Sequence, residues 1–444
     1  MNPKIIVLDD DPTGSQTVHS CLLLTRWDVA TLKMALADAA PLFFVLTNTR
    51  GLDAERAAAV TREVCENLKA ALAGYAGPVL FVSRSDSTLR GHYPVETDVM
   101  NEVLGPFDAT LLTPAFFEGG RITRDSTHYL VVDGKPVPTH ETEFARDSVF
   151  GYRTAYLPDY VGEKTGGRVA PQDVARLTLA DLRADKTGSW LASLNSNAIG
   201  VVDGETPDDY RRFADAVLKA AAAGKRLLFR SAASLLIALA KLPPQPVAAE
   251  SFATLVRNGQ AGAIIVGSHV AKTTAQLTAL LKERGVVGLP LDVARLPAER
   301  GAVVAELTAS IAHAHAQGLT PVVFTSRSER QFASVAERLA FGEAVSGTLM
   351  DVVKRLPETL GFLISKGGIT SNDVLSTGLE LTASRVLGQI LPGVTVVQTP
   401  SDHRLPLLPV VIFPGNVGGD DALAEAYRRL APSRAQASPA KLAA

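Results

Sequence analysis

The chain has 444 residues, enough for two ordinary domains or one very large one; with 46% apolar and 20% charged residues it can fill a core and lies far from disordered compositions. A formal net charge of −2, with no run of Lys and Arg interleaved with aromatics, argues against a nucleic-acid partner. No apolar run approaches a membrane span and the first residues lack a signal-like apolar core, so a cytoplasmic protein without a membrane partner is expected.

In chain order, short apolar runs end in polar, glycine-rich residues and alternate with helical patterns, the grammar of βαβ units around a mainly parallel sheet. The first runs cover 5–8, 42–46, 79–82 and 110–112. Between the second and third, Asp53 as N-cap, Glu55 in the first turn and Val60, Val64 and Leu68 four apart predict a helix. Cys21 and Cys65 sit inside apolar patterns and read as buried free thiols. From 125 to 203 the pattern weakens into Thr, Asp, Gly and Tyr, which reads as an insertion with one helix signal over 171–182. A helix over 207–223 and a strand over 226–229 resume the alternation.

Leu242-Pro243-Pro244-Gln245-Pro246 can continue neither a helix nor a central strand, which places a linker over 242–250. The second half has strands expected at 263–266, 321–324, 361–364 and 409–412, with helices over 271–284 and 302–316. His313 and His315, two apart on the latter, face different sides and do not suit a transition metal. The expectation is therefore an α/β protein of two domains, 1–241 and 251–431, each with a mainly parallel sheet flanked by helices, a cleft between them and a frayed tail over 432–444.

Ligands of open parallel sheets bind beyond the carboxyl ends of the strands, so the residues closing each run are the informative ones. In the first half these read Asp9-Asp10-Asp11-Pro12-Thr13-Gly14, Thr47-Asn48-Thr49-Arg50-Gly51, Ser83-Arg84-Ser85-Asp86-Ser87-Thr88-Leu89-Arg90-Gly91-His92, and Thr113-Pro114-Ala115 leading to Glu118-Gly119-Gly120-Arg121. Carboxylates that accept hydroxyl protons and arginines that pair with a carboxylate suit a small polyhydroxylated anion. In the second half they read Gly267-Ser268-His269, Thr325-Ser326-Arg327-Ser328, Ser365-Lys366-Gly367-Gly368-Ile369-Thr370-Ser371 and Pro414-Gly415-Asn416-Val417-Gly418-Gly419-Asp420. Glycine loops and free amide donors suit a polyphosphate, although neither a P-loop nor a GxGxxG is present.

Taken together, Asp10-Asp11-Pro12-Thr13-Gly14, Ser85 to Gly91, Pro114-Ala115 with Gly119-Gly120-Arg121, Glu141-Thr142-Glu143-Phe144, Gly267-Ser268, Gly367 to Ser371 and Gly415-Asn416-Val417-Gly418 resemble the four-carbon acid sugar kinase family, in order over nearly the whole chain. The resemblance implies an N-terminal sugar-acid domain, a C-terminal ATP domain, and Mg²⁺-assisted transfer of a phosphoryl group to the terminal hydroxyl of threonate or erythronate. Asp10, Asp11 and Asp86 would then be catalytic, with Asp10 or Asp11 as the base or the organiser of Mg²⁺. Thr13, Arg50, Arg84, Arg90 and Gly91 would face the acid, Arg50 and Arg90 holding its carboxylate. Ser268, Ser326, Gly367, Gly368, Thr370, Gly415, Asn416 and Gly418 would face the nucleotide. The expected partners are ATP and a sugar acid, with a homodimer left open.

Three departures mark a variant branch: Arg84 where many members carry Lys, Pro12 after the Asp pair, and Pro414 in the place of a Lys before the Gly-Asn turn. Two other readings compete. Asp9-x-Asp11-x-Thr13 satisfies the nucleophile pattern of a haloacid-dehalogenase-type phosphatase. A nucleotide-responsive binding protein without turnover would explain Pro414.

Overall fold

The computed structural model describes residues 3–268, 270–326, 332 and 334–431. The expected tail over 432–444, and His269, Arg327 and Ser328, lie outside the described residues. The chain divides between Pro244 and Gln245 into two compact units.

In the first unit the strands are β1 (Lys4–Asp9), β2 (Leu22–Leu24), β3 (Leu42–Leu46), β4 (Val79–Arg84), β5 (Ala109–Thr113), β6 (Arg121–Arg124), β7 (Thr127–Val132), β8 (Lys135–Pro138), β9 (Ala175–Leu177), β10 (Ala198–Val202) and β11 (Leu227–Ser231). Eight of them form a sheet in the order β2-β3-β1-β4-β11-β5-β10-β9, every pair parallel. Every residue of β1, β3, β5 and β11 is buried, as strands covered on both faces must be. The register sets Asp9 beside both Leu46 and Arg84, and Ser231 beside both Arg84 and Thr113, so these strand ends finish in one row. Helix Ala54–Ala71 begins as its sequence predicts, with Asp53 accepting from the Arg56 amide, and buries Val64, Cys65 and Leu68 on one face.

Residues 125–203 are more than an insertion. They build β7 and β8 of a three-stranded antiparallel sheet, β6-β7-β8, and two strands of the main sheet, β9 and β10. The helix expected over 171–182 resolves into a single turn at Pro171–Asp173, strand β9, and helix Leu179–Arg183 capped by Thr178. A proline at one end and a capping threonine in the middle break the continuity that a periodic pattern suggests. Cys21 and Cys65 are both free and buried.

In the second unit the strands are β12 (Ala263–Val266), β13 (Val286–Leu291), β14 (Thr320–Thr325), β15 (Leu363–Lys366), β16 (Ala383–Leu391), β17 (Val394–Gln398) and β18 (Pro409–Phe413). Their order is β13-β14-β12-β15-β18-β17-β16. The expected mainly parallel sheet is mixed here: β13, β14, β12, β15 and β18 pair in parallel, while β17 runs antiparallel to both β18 and β16. Strands β16 and β13 escaped the sequence reading because they alternate or carry Gly288, Pro290 and Gly388 instead of forming continuous apolar runs, and β17 because Thr395 breaks its short run. Helix Val335–Val353, interrupted in pattern by Gly342 and Gly347, was also missed. The helix expected over 271–284 stops at Leu280. Gln245 belongs to this unit, its amide donating to the Gln389 carbonyl at 3.1 Å and its oxygen accepting from the Gln389 amide at 2.7 Å. No helix among the described residues is long and apolar enough to cross a membrane.

Candidate functional site

Strand β1 ends in three consecutive aspartates whose surroundings differ sharply. Asp9 is fully buried, its carboxylate 3.0 Å from Arg84 Nη1 and packed so tightly on Gly14 that a Cβ there would lie 1.9 Å from Asp9 Oδ2. Burial is the main reason its pKa is pushed up to about 7, with Arg84 opposing the rise and Asp10 and Asp11 adding to it. Asp10 is also buried, and accepts from Arg50 Nη2 at 2.5 Å, Arg50 Nε at 3.2 Å and Ser85 Oγ at 2.6 Å. Asp11 is the open one, with 22% of its side chain exposed. It accepts from the Thr13 amide at 2.8 Å, the Thr13 hydroxyl at 2.5 Å and Arg50 Nη1 at 3.3 Å. Burial alone would raise its pKa, but Arg50, Arg84 and the Thr13 hydrogen bonds outweigh it and hold the carboxyl below the usual range.

The loop after β4 closes on this row. Asp86 accepts from Arg90 Nε at 2.8 Å and from the Thr88 hydroxyl; Arg50 and Arg90 overcome its burial and keep it ionised far below the ordinary aspartate range. Arg90 also lies 3.7 Å from Asp147 and stacks 4.9 Å over the Phe144 ring. The loop backbone is pinned from outside: Tyr152 and Tyr160 hydroxyls donate to the Thr88 and Leu89 carbonyls at 2.8 Å, and His128 Nε2 donates to Ser87 O at 2.7 Å. Gly91 adopts φ 124°, and a Cβ there would meet Ser85 Oγ at 2.3 Å and Arg230 Nη2 at 2.6 Å. It is the backbone of Gly91 that the fold requires.

The structure thus gathers Asp10, Asp11, Thr13, Arg50, Asp86, Arg90 and Gly91 at one sheet edge. Arg84, expected to face the acid, is only 5% exposed, and its Nη1 pairs with Asp9, which braces the row. Full burial of Asp9 weighs against the phosphatase reading, since a nucleophilic Asp9 would have to be accessible. Sequence reading missed Arg230 and Glu96, and gave Ser85 no role of its own. Arg230 donates to Ser83 at 2.7 Å, to Ser85 at 2.8 Å and to Glu96 at 2.5 Å, while Glu96 accepts from Thr49 at 2.6 Å. The signal was available, because Arg230 is the penultimate residue of β11, whose end the sequence reading set two residues too early.

In the second unit β12, β15 and β18 are neighbours, and their loops meet. A Cβ on Gly267 would fall 2.2 Å from Thr370 Oγ1, and Gly367, at φ 117°, approaches Ser268 Cβ to 3.1 Å by the same measure. Thr273 donates to Ser268 Oγ at 3.3 Å and to Gly415 O at 3.1 Å. Gln276 Nε2 donates to Val417 O at 2.9 Å and Gly419 O at 2.8 Å, holding the loop in which Gly418 has φ 79°. Asn416 and Gly418 are exposed, Gly368 half-buried and Thr370 buried. Ser326 lies off to one side, its hydroxyl donating to Leu291 O at 3.3 Å.

Lys366, passed over in the sequence, is fully buried with its ammonium donating to Pro414 O and to Gly415 O at 3.1 Å, 4.3 Å above the Phe413 ring. Burial, with Lys272 nearby, brings its pKa down to about 7. The position where a lysine is expected before the Gly-Asn turn is Pro414, and the neighbouring strand supplies an ammonium beside that residue's carbonyl. Clustered glycines and hydroxyls at these strand ends form a donor set that fits a polyphosphate. No group of three or more His, Cys, Asp or Glu among the described residues could hold a metal by itself. One or two carboxylates suffice for Mg²⁺ when phosphate oxygens complete its shell.

Residues 5–239 match the model of a sugar-binding N-terminal domain, and residues 263–423 that of a nucleotide-binding C-terminal domain. The chain is 32% identical over 170 residues to the D-erythronate kinase of Heliobacterium modesticaldum, and 33% identical over 168 residues to the D-threonate kinase of Bordetella bronchiseptica. These matches span 36% of this chain and 36% and 39% of the respective relatives. Two solved structures share the fold at 18% identity over 96% of this chain: a Salmonella typhimurium LT2 protein provisionally named a tRNA synthase, covered over 98% at a TM-score of 0.68, and a Haemophilus influenzae protein, covered over 100% at 0.65. With a sugar-binding and a nucleotide-binding domain in this order and distant kinases of erythronate and threonate among its relatives, the chain belongs to the four-carbon acid sugar kinase family.

Proposed function

We propose that the protein is an ATP-dependent kinase that phosphorylates the terminal hydroxyl of a small sugar acid of the threonate or erythronate kind. The observation that carries this reading is Asp11, an ionised and partly exposed carboxylate at the end of the first unit's β1, inside a domain of sugar-binding type. A carboxylate anchored there by Thr13 and Arg50 can accept the hydrogen bond of an attacking hydroxyl and orient its oxygen. Phosphoryl transfer asks for alignment and charge neutralisation more than for a strong base, so a low pKa at Asp11 is compatible with the role. Asp10, buried against Arg50 and Ser85, positions that arginine. Gly267, Ser268, Gly367, Gly368, Thr370, Gly415, Asn416 and Gly418 serve the nucleotide. Bound Mg²⁺ would neutralise charge on the phosphoryl oxygens, with Asp11 and Asp86 the carboxylates open enough to help hold it.

The test is ADP release and product formation with ATP, Mg²⁺ and a panel of C4 to C6 sugar acids. Turnover on one or more acids is expected, and Asp11→Asn should lower kcat by about 10²- to 10⁴-fold. Ligand-dependent thermal stabilisation without product from any acid would instead support a binding protein without turnover. Phosphate release from phosphate esters without ATP would revive the phosphatase.

A further inference from the structure

The guanidiniums expected to receive the substrate's carboxylate are already engaged. Arg50 gives three donors to Asp10 and Asp11, and Arg90 gives its Nε to Asp86 while facing Asp147. Arg84 is paired with Asp9, and Arg230 with Glu96. Against these stand Asp9, Asp10, Asp11, Asp86 and Asp147, so an arriving anion meets a cluster with no uncommitted positive charge among these four arginines.

Arg121 is different. It opens β6 and closes a tight turn, its amide donating to Phe116 O at 2.8 Å and its carbonyl accepting from the Phe116 amide at 2.9 Å. The guanidinium folds back so that Nη1 donates to Gly119 O and the head stands 6.0 Å from the Phe116 ring centre. A Cβ at Gly119 would lie 2.4 Å from Arg121 Nη1, so the glycine makes room for this conformation. Its Nε, like that of Arg84, is buried without a hydrogen-bond partner, but unlike Arg84, which pairs with Asp9, its side chain makes no salt bridge among the described residues. Asp86 and Arg90 are close enough to act on its charge. An arginine cannot shed its proton to escape such a place, so a partly buried guanidinium without a carboxylate is a poised anion receptor.

We propose that Arg121 is the specificity-determining residue that takes the carboxylate of the sugar acid, leaving the aspartates to the hydroxyl groups. The assignment rests on the sugar-acid kinase reading above. It predicts that the enzyme distinguishes acids from polyols through this one side chain.

The experiment compares full-length wild type, Arg121→Gln and Arg121→Lys by thermal shift and initial rates. The probes are D-erythronate and D-threonate, with erythritol and threitol as counterparts lacking the carboxylate and an ATP analogue with Mg²⁺ as an internal control. Wild type should be stabilised by at least one acid and by neither polyol. Arg121→Gln should weaken apparent acid affinity by at least about tenfold, the worth of a charge-assisted contact, and raise KM far more than it lowers kcat. Its response to the ATP analogue should be unchanged. Arg121→Lys, which keeps the charge, should recover part of the acid affinity, which a purely structural role for the Phe116 turn does not predict.

Acid affinity within twofold of wild type in Arg121→Gln overturns the proposal while leaving the kinase reading intact. Equal losses for nucleotide and acid, unrelieved in Arg121→Lys, also overturn it by showing a folding role. A wild type that answers to the nucleotide and to no acid removes both the substrate class and the assignment built on it.

Discussion

Asp9, Asp10 and Asp11 are chemically identical and adjacent, yet their neighbours give them three environments: Asp9 buried against Arg84, Asp10 buried against Arg50 and Ser85, and Asp11 partly open. Gly14 is part of that division, because any side chain there collides with the Asp9 carboxylate. Gly14→Ala is expected to cost about 1–3 kcal/mol in denaturant unfolding, as overpacking does. The pH dependence follows from the sign of the Asp9 shift. An aspartate in the unfolded chain titrates near 3.8, whereas in the native state Asp9 holds its proton up to about 7. Between those values the folded protein binds the extra proton, so this residue's contribution falls as pH rises from 4 to 7. Asp11 and Asp86 shift the opposite way and contribute stability that is lost only as pH falls below the ordinary aspartate range. Urea midpoints measured over pH 4–7 should therefore vary less in Asp9→Asn than in wild type, and equal slopes would remove Asp9 as the titrating group.

The loop after β4 illustrates the element scale. Its sequence shows charged and hydroxyl groups, but its shape comes from Tyr152, Tyr160 and His128, which lie 41 to 71 residues away in the chain. Tyr160 packs on Tyr93 and Tyr152 at ring distances of 5.9 and 5.6 Å. Tyr160→Phe keeps that packing while stripping the Leu89 carbonyl of its donor, at a cost of about 1–3 kcal/mol. Loosening Leu89 beside Arg90 should raise KM for the acid and leave nucleotide binding untouched, measurable by initial rates and by titration of an ATP analogue. The local pattern did reveal the strands that are apolar throughout, β1, β3, β5, β12 and β18, and the capped helix at Asp53. It failed for β10, β13 and β16, where burial alternates or a proline or glycine interrupts the run, and for β9 and β17, which are short and carry Arg176 and Thr395 inside them, because such strands carry no continuous apolar signal.

At the scale of the whole molecule, two ligand classes served by separate units should be separable by mutation. Gly418, at φ 79° and with a Cβ that would lie 2.4 Å from Ala422 Cβ, can hardly accept a side chain. Gly418→Ala should abolish most of the stabilisation by an ATP analogue and leave stabilisation by the acid in place, whereas Arg121→Gln should do the reverse; thermal shifts read both by mass action. The reciprocal pattern would be lost if either residue acted only by destabilising the whole chain.

The residues of the candidate site were legible where chemistry is concentrated at strand ends: the aspartate triplet, Arg50, the Asp86 to Gly91 loop and the glycine turns of the second half. Order along the chain and residue type were enough to indicate a sugar-binding half followed by a nucleotide-binding half. What only the tertiary structure decided is which of those groups are already paired. Burial separates Asp9 from Asp11, commits Arg84 and Arg50 to carboxylates, brings Lys366 to the carbonyl of Pro414 and leaves Arg121 without a salt bridge among the described residues. Side-chain pairing across strands depends on register and depth, and neither is written in the local sequence.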